Sequence, residues 1–206
     1  VAPPEVAVAL NNYSALLRRD GKLEAAAAAA ERGLQIRRTV FGDVHPAVAE
    51  SCQNLGLLLV ESGAPERGCA LLLEAVAICE RVFEGDDPVL GTALHNLGGV
   101  HRAMGNREAA EQCLRRALAI RRRLLRPDHL DIAVTASSLV ALFRRESPAQ
   151  ALEFARITVS IRVANWGEDH AELTGYLIEL GDYEGWFDAS QEEYVPENTA
   201  REHDYK

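Results

Sequence analysis

The sequence predicts an all-α, right-handed solenoid of helical hairpins with a C-terminal capping helix. Three observations carry that prediction. Pro4, Pro46 and Pro88 stand 42 residues apart, with Leu130 in the fourth place. Asn12, Asn54, Asn96 and Ser138 keep the same interval, as do Gly21, Gly63 and Gly105, with Ser147 in the fourth place. Within each copy the apolar residues recur at helical and not at strand spacing. Fixed self-similarity of this length marks stacked supersecondary units, none of which can bury its apolar face alone.

The copies run at about residues 4–45, 46–87, 88–129 and 130–170, and together form one elongated domain over residues 1–170. The second shows the template. Pro46 opens a helix, because proline at a first helical position presets φ and forfeits no needed donor. Val48, Cys52, Leu55, Gly56 and Leu59 then share one face. Ser62-Gly63-Ala64-Pro65 ends that helix, with Gly63 placed as its C-terminal cap. A second helix carries Gly68, Leu72, Ala75 and Ile78 on one stripe, is closed by Phe83, and gives way to the turn Gly85-Asp86-Asp87-Pro88. The other copies repeat these choices. Small residues mark the helix crossings: Ser14, Gly56 and Gly98 on the first helices, and Ala26, Gly68, Ala110 and Ala151 on the second. Phe41, Phe83, Leu125 and Trp166 occupy equivalent ends, so Trp166 reads as an inter-repeat plug. Ala171 to Leu180 reads as one more helix, over about 171–181, capping the last apolar face. Residues 182–206 lose the period. They are acidic, with Arg201 and Lys206 the only Lys or Arg, and predict a flexible tail.

Composition narrows the function. Of 206 residues, 48% are hydrophobic, enough for a core, while the 6% of aromatics and the many alanines suit close helix packing. A net charge of −9 disfavours nucleic acid and acidic membranes. No apolar run is long enough for membrane insertion, and no signal peptide is visible. The chain opens on Val1 and reads as a piece of a longer protein. Cys52, Cys69, Cys79 and Cys113 have no metal-ligand spacing and lie in apolar helical stretches, which predicts buried, reduced thiols in a cytoplasmic protein. His45, His129 and His170 recur at the turns and predict capping roles. The Arg121-Arg122-Arg123 and Arg126 cluster reads as a solvated helix end, not a nucleic-acid site. Neither a phosphate loop nor a nucleophile elbow is present. The expectation is a protein that is not an enzyme and needs no cofactor or metal.

The segments "HPAVA", "LNNYSALL", "LHNLGGV" and "RRALAIRRRLL" resemble the tetratricopeptide repeat in the 42-residue form of the kinesin light chains. That family reads H-P-x-V-A, then L-N-N-L-A, then a glycine turn, then R-A-L-x-I-R. The resemblance covers about residues 4–170. Departures are Ser138 and Ser147 for Asn and Gly, and Gly33 for the Ala of R-A-L, which make the terminal copies atypical. The resemblance implies a concave groove lined by the first helix of each copy. Its inner positions here are Asn11, Asn12, Arg18 and Arg19; Glu50, Gln53, Asn54, Leu57 and Glu61; His95, Asn96 and Arg102; and Ser137, Ser138, Arg144 and Arg145. Asn12, Asn54 and Asn96 form a ladder whose amides offer a donor and an acceptor to an extended peptide backbone. Arg18, Arg19, Arg102, Arg144 and Arg145 suggest a basic edge and thus an acidic peptide or protein partner.

The expected function is therefore a non-catalytic scaffold or adaptor. Two alternatives stay open: a self-assembling structural protein joined through solenoid ends or tail, and a sensor or regulatory domain of a larger signalling protein. The tail adds a further expectation. Trp186 and Phe187, flanked by acids, would engage a basic groove in the same chain or in a neighbouring subunit.

Overall fold

A computed structural model describes residues 2–168 and 170–185; Trp186, Phe187 and the rest of the acidic tail lie outside the described residues. The described residues form nine α-helices: α1 (Pro4–Arg19), α2 (Leu23–Phe41), α3 (Pro46–Glu61), α4 (Pro65–Val82), α5 (Pro88–Ala103), α6 (Arg107–Leu124), α7 (Leu130–Phe143), α8 (Pro148–Trp166) and α9 (Leu173–Gly185). They pack as antiparallel hairpins, and the fold is an all-α helical-hairpin solenoid. The described residues divide into two compact units, one with α1–α6 up to Leu124 and one with α7–α9 from Leu125 onward.

Helix starts follow local chemistry. Proline stands in the first turn of α1, α3, α4, α5 and α8. Two of the turn histidines act as N-caps: the backbone N–H of Ala47 donates to His45 Nδ1 at 3.1 Å and that of Asp131 to His129 Nδ1 at 3.1 Å, while His170 accepts from Glu172 N–H at 3.3 Å in the turn before α9. Asp87 does the same work for α5, accepting from Val89 N–H at 2.7 Å. Each cap satisfies a backbone donor that helical bonding leaves over. Gly21, Gly63 and Gly105 follow α1, α3 and α5 with φ of 74°, 86° and 78°, a region that only glycine enters cheaply.

In the first unit one apolar cluster runs through all three hairpins, from Leu17 and Leu34 through Leu55, Leu72 and Ile78 to Leu97 and Ile120. The hairpins cross at the small residues. A Cβ added at Gly56 would meet the Gly68 carbonyl at 3.0 Å, and one added at Gly98 would lie 2.7 Å from Leu114. Ser14 uses its crossing differently, donating its hydroxyl to the Ala26 carbonyl at 2.8 Å. In the second unit Phe143 of α7 stacks on Phe154 of α8 at 6.0 Å. Trp166 is half-buried with its ring tilted against His170 at 4.9 Å, while the Arg162 guanidinium lies over both the Trp166 and Tyr176 rings, tying α8 to α9. α9 starts later than its sequence signals suggest and runs on past Gly181, which lies inside it. No helix of the described residues is long and apolar enough to cross a membrane.

Candidate functional site

Between the N-terminal halves of α3 and α5, in the first unit, lies a cleft of about 620 Å³. Pro46, Ala47, Pro88 and Val89 give it apolar walls. Glu50, Gln53 and Asn54 from α3 and Thr92 and Asn96 from α5 add polar groups, and His45 closes one end. A 42-residue period over 16-residue helices brings the same turn of each first helix to the same height, so these side chains converge. Asn54 is exposed within the cleft. Asn96 Nδ2 donates to Gln53 Oε1 at 3.3 Å, linking the two walls and leaving the Asn96 carbonyl oxygen open.

The other sequence candidates separate into distinct environments. Asn12 and Arg19 are exposed on α1, and Arg102 on α5. Asn11 turns away from the cleft. It is half-buried with both amide atoms shielded from solvent, and a Cβ at Gly33 would meet its Oδ1 at 3.1 Å. A methyl at Gly33 would crowd the Asn11 amide in this position. Leu57 packs partly against the core, and His95 is half-buried on α5. Arg18 is committed to Glu61 of α3 through a two-pronged ion pair. In the second unit Ser138 turns its hydroxyl onto the Val134 carbonyl of its own helix, and Arg144 and Arg145 are exposed after α7.

Several residues that shape the site carried no functional signal in the sequence. Arg37, buried on α2, reaches α3, where Nη1 donates to the Ala47 carbonyl at 2.7 Å, to Glu50 at 2.8 Å and to Ser51 at 3.0 Å. It neutralises the one acid of the cleft and sets the start of α3. Arg121, at the matching position one copy beyond Cys79, is also buried, although its cluster reads as a solvated end in sequence. Arg123 pairs with Asp86, whose carboxyl the guanidinium holds below its ordinary range. Arg38–Glu74 and Glu80–Arg116 likewise tie neighbouring second helices together. These contacts join residues 36 or 37 positions apart, and only the stacking of hairpins brings them together.

The thiols are not activated. Burial pushes Cys52 up to about 12 and Cys79 up to about 11, with neighbouring acids adding to the effect. All four cysteines are free. Among the described residues no group of three His, Cys, Asp or Glu is placed to hold a metal.

The tetratricopeptide repeat model matches residues 5–67, 63–123 and 92–162, most of the chain. The chain belongs to the tetratricopeptide repeat family. These repeats serve as protein-interaction scaffolds and are generally non-catalytic. Solved structures share the fold. A Podosopora anserina protein classed as a kinesin light chain, with nearly identical TPR-like repeats, superposes with a TM-score of 0.79 at 19% identity, over 90% of this chain and 88% of that one. BtubC (BKLC) from P. vanneervenii superposes at 0.72 and 22% identity, over 82% and 68%. No curated protein matches the chain in sequence. The repeats are thus of the kinesin light chain type in architecture, as the 42-residue period and the H-P-x-V-A start suggest.

Proposed function

We propose that this tetratricopeptide repeat protein holds an extended peptide segment of a partner protein against its first helices, with the cleft between α3 and α5 as the principal contact. The observation that carries the reading is the convergence of exposed Asn54, the Asn96–Gln53 pair and four apolar wall residues in one open cleft. An amide recognises a peptide backbone whatever its sequence, and the Pro46, Ala47, Pro88 and Val89 walls accept an apolar side chain. The acidic preference rests on Arg19 and Arg102 in the first unit, since Arg18 is engaged by Glu61. Four free cysteines suit work in the cytoplasm.

The test begins with peptides selected from a display library on the intact chain, followed by calorimetry. Asn54→Ala with Asn96→Ala should weaken the selected peptide by about tenfold or more, roughly 1–3 kcal/mol, because each lost amide strands backbone partners. Far-ultraviolet circular dichroism should be unchanged. Arg102→Glu should weaken acidic peptides selectively, with the difference shrinking in high salt. Full affinity in the double asparagine variant would move the binding site elsewhere.

A further inference from the structure

Gly99 lies inside α5, and no contact within the fold explains it. The other glycines inside helices of the first unit are Gly33, Gly56, Gly68, Gly91 and Gly98, and a Cβ added at any of them would come within 3.3 Å of a neighbour. At Gly99 a Cβ would meet nothing within 4 Å among the described residues. Its φ is not positive, so no turn requires glycine there. After proline, glycine is the residue a helix interior tolerates least, because it gives up the most backbone freedom. One copy earlier the same place holds Leu57, whose side chain packs partly against the core.

Position shows what this bare backbone faces. Thr92 and Asn96 line the cleft, and Gly99 and Arg102 follow them at helical spacing of three. Gly99 therefore carries the face of the cleft one turn beyond Asn96, and it is partly open to solvent. Asn96 and Gly99 are separated by about 4.5 Å along the helix axis, less than the ~4.8 Å that one extended chain occupies beside another. A single extended segment crossing α5 spans both. An asparagine side chain is short, so a main chain bonded to the Asn96 amide lies low on the helix. A leucine at the next turn, as on α3, would stand in its path. Backbone without a Cβ is the surface on which such a chain can lie.

We propose that Gly99 is where the main chain of the bound segment comes closest to α5, an inference that rests on the cleft between α3 and α5 as the peptide site. The Asn54 and Asn96 amides hold the segment's backbone, and Gly99 leaves room for it against the helix. At this position the fold gives up helix stability for access by an extended main chain.

The test uses the intact chain and a peptide selected on it by display. Gly99→Ala should raise the urea midpoint of the unliganded chain, since alanine favours the helix and meets no neighbour. The same variant should weaken the peptide by about fivefold or more, and Gly99→Leu should weaken it further, because each added carbon crowds the contact. The Gly99→Ala penalty should persist when the peptide's side chains are cut to alanine one at a time. A penalty abolished by one such truncation would assign Gly99 to a side-chain pocket and overturn the proposal. So would a lower urea midpoint in Gly99→Ala, which would give the glycine a structural role. Unchanged affinity in both Gly99 variants, with affinity still lost in the Asn54→Ala, Asn96→Ala double variant, would overturn the role of Gly99 and leave the cleft as the peptide site. Unchanged affinity in the double asparagine variant as well would overturn both.

Discussion

Gly68 and Gly98 both stand where two helices cross, yet their neighbours differ in kind. A Cβ at Gly68 would lie 2.5 Å from the Gly56 carbonyl oxygen and 2.6 Å from Val60. A Cβ at Gly98 would first meet the Leu114 side chain at 2.7 Å, with the Ala110 carbonyl at 3.2 Å. A leucine side chain can rotate, but a helical carbonyl moves only with its helix. Gly68→Ala should therefore destabilise the protein by about 1–3 kcal/mol, even after the ~1 kcal/mol that alanine returns in helix propensity. Gly98→Ala should cost clearly less. Urea denaturation of the two variants measures the order, and a smaller loss at Gly68 would mean that the α3–α4 crossing opens with little resistance.

At the scale of elements, the junction between hairpins matters more than any single helix. α2 meets α3 through one buried guanidinium, and Arg37 contributes three hydrogen bonds there at almost no exposure. Arg37→Ala would remove charged donors from the Ala47 carbonyl, the Ser51 hydroxyl and the exposed Glu50 carboxylate, and only at Glu50 does water readily take their place. The expected loss is about 2–3 kcal/mol. The first turn of α3 should also exchange its amide hydrogens faster, while α5 keeps its protection. Uniform acceleration across the unit, or none at α3, would contradict a local role. The same junction shows what could be read early. His45 and His129 are legible as caps because a cap is a matter of two residues in sequence. The reach of Arg37 is not, because its partners lie on the next helix and its motif reads equally well as an exposed arginine.

Across the whole molecule, stability should fall at alkaline pH. Cys52 and Cys79 are fully buried, and desolvation raises their thiols from an ordinary 9.0 to about 12 and about 11. Below pH 9 both are protonated whether the chain is folded or not, and their contribution is fully present. Above pH 9 the unfolded chain loses these protons and the folded chain does not, so the unfolded state binds fewer protons and stability declines. The loss should grow by up to ~1.4 kcal/mol per pH unit for each thiol between pH 9 and about 11, with Cys52 continuing toward about 12. Denaturation midpoints at pH 8, 9 and 10 should show this slope, and it should flatten in Cys52→Ala with Cys79→Ala. An identical slope in the double variant would assign the alkaline loss to other groups.

By itself, the sequence determined the hairpin solenoid, its period and the faces of its helices. Those follow from local chemistry: proline at helix starts, glycine where φ turns positive, and apolar spacing that only a helix lines up. It also marked the Asn12, Asn54, Asn96 column, since equal spacing puts equal residues on equal faces. Only the tertiary structure decided what each column does. Gln53 takes up Asn96, Glu61 takes up Arg18, and Asn11 sinks against Gly33, while Asn54 stays open in the cleft. Tyr13 and Leu16 occupy a column that is buried in α3 and α5 and open on α1. The period makes these positions equivalent in sequence. Their neighbours differ because each repeat is finished by the helices stacked against it, and that stacking is a property of the folded chain.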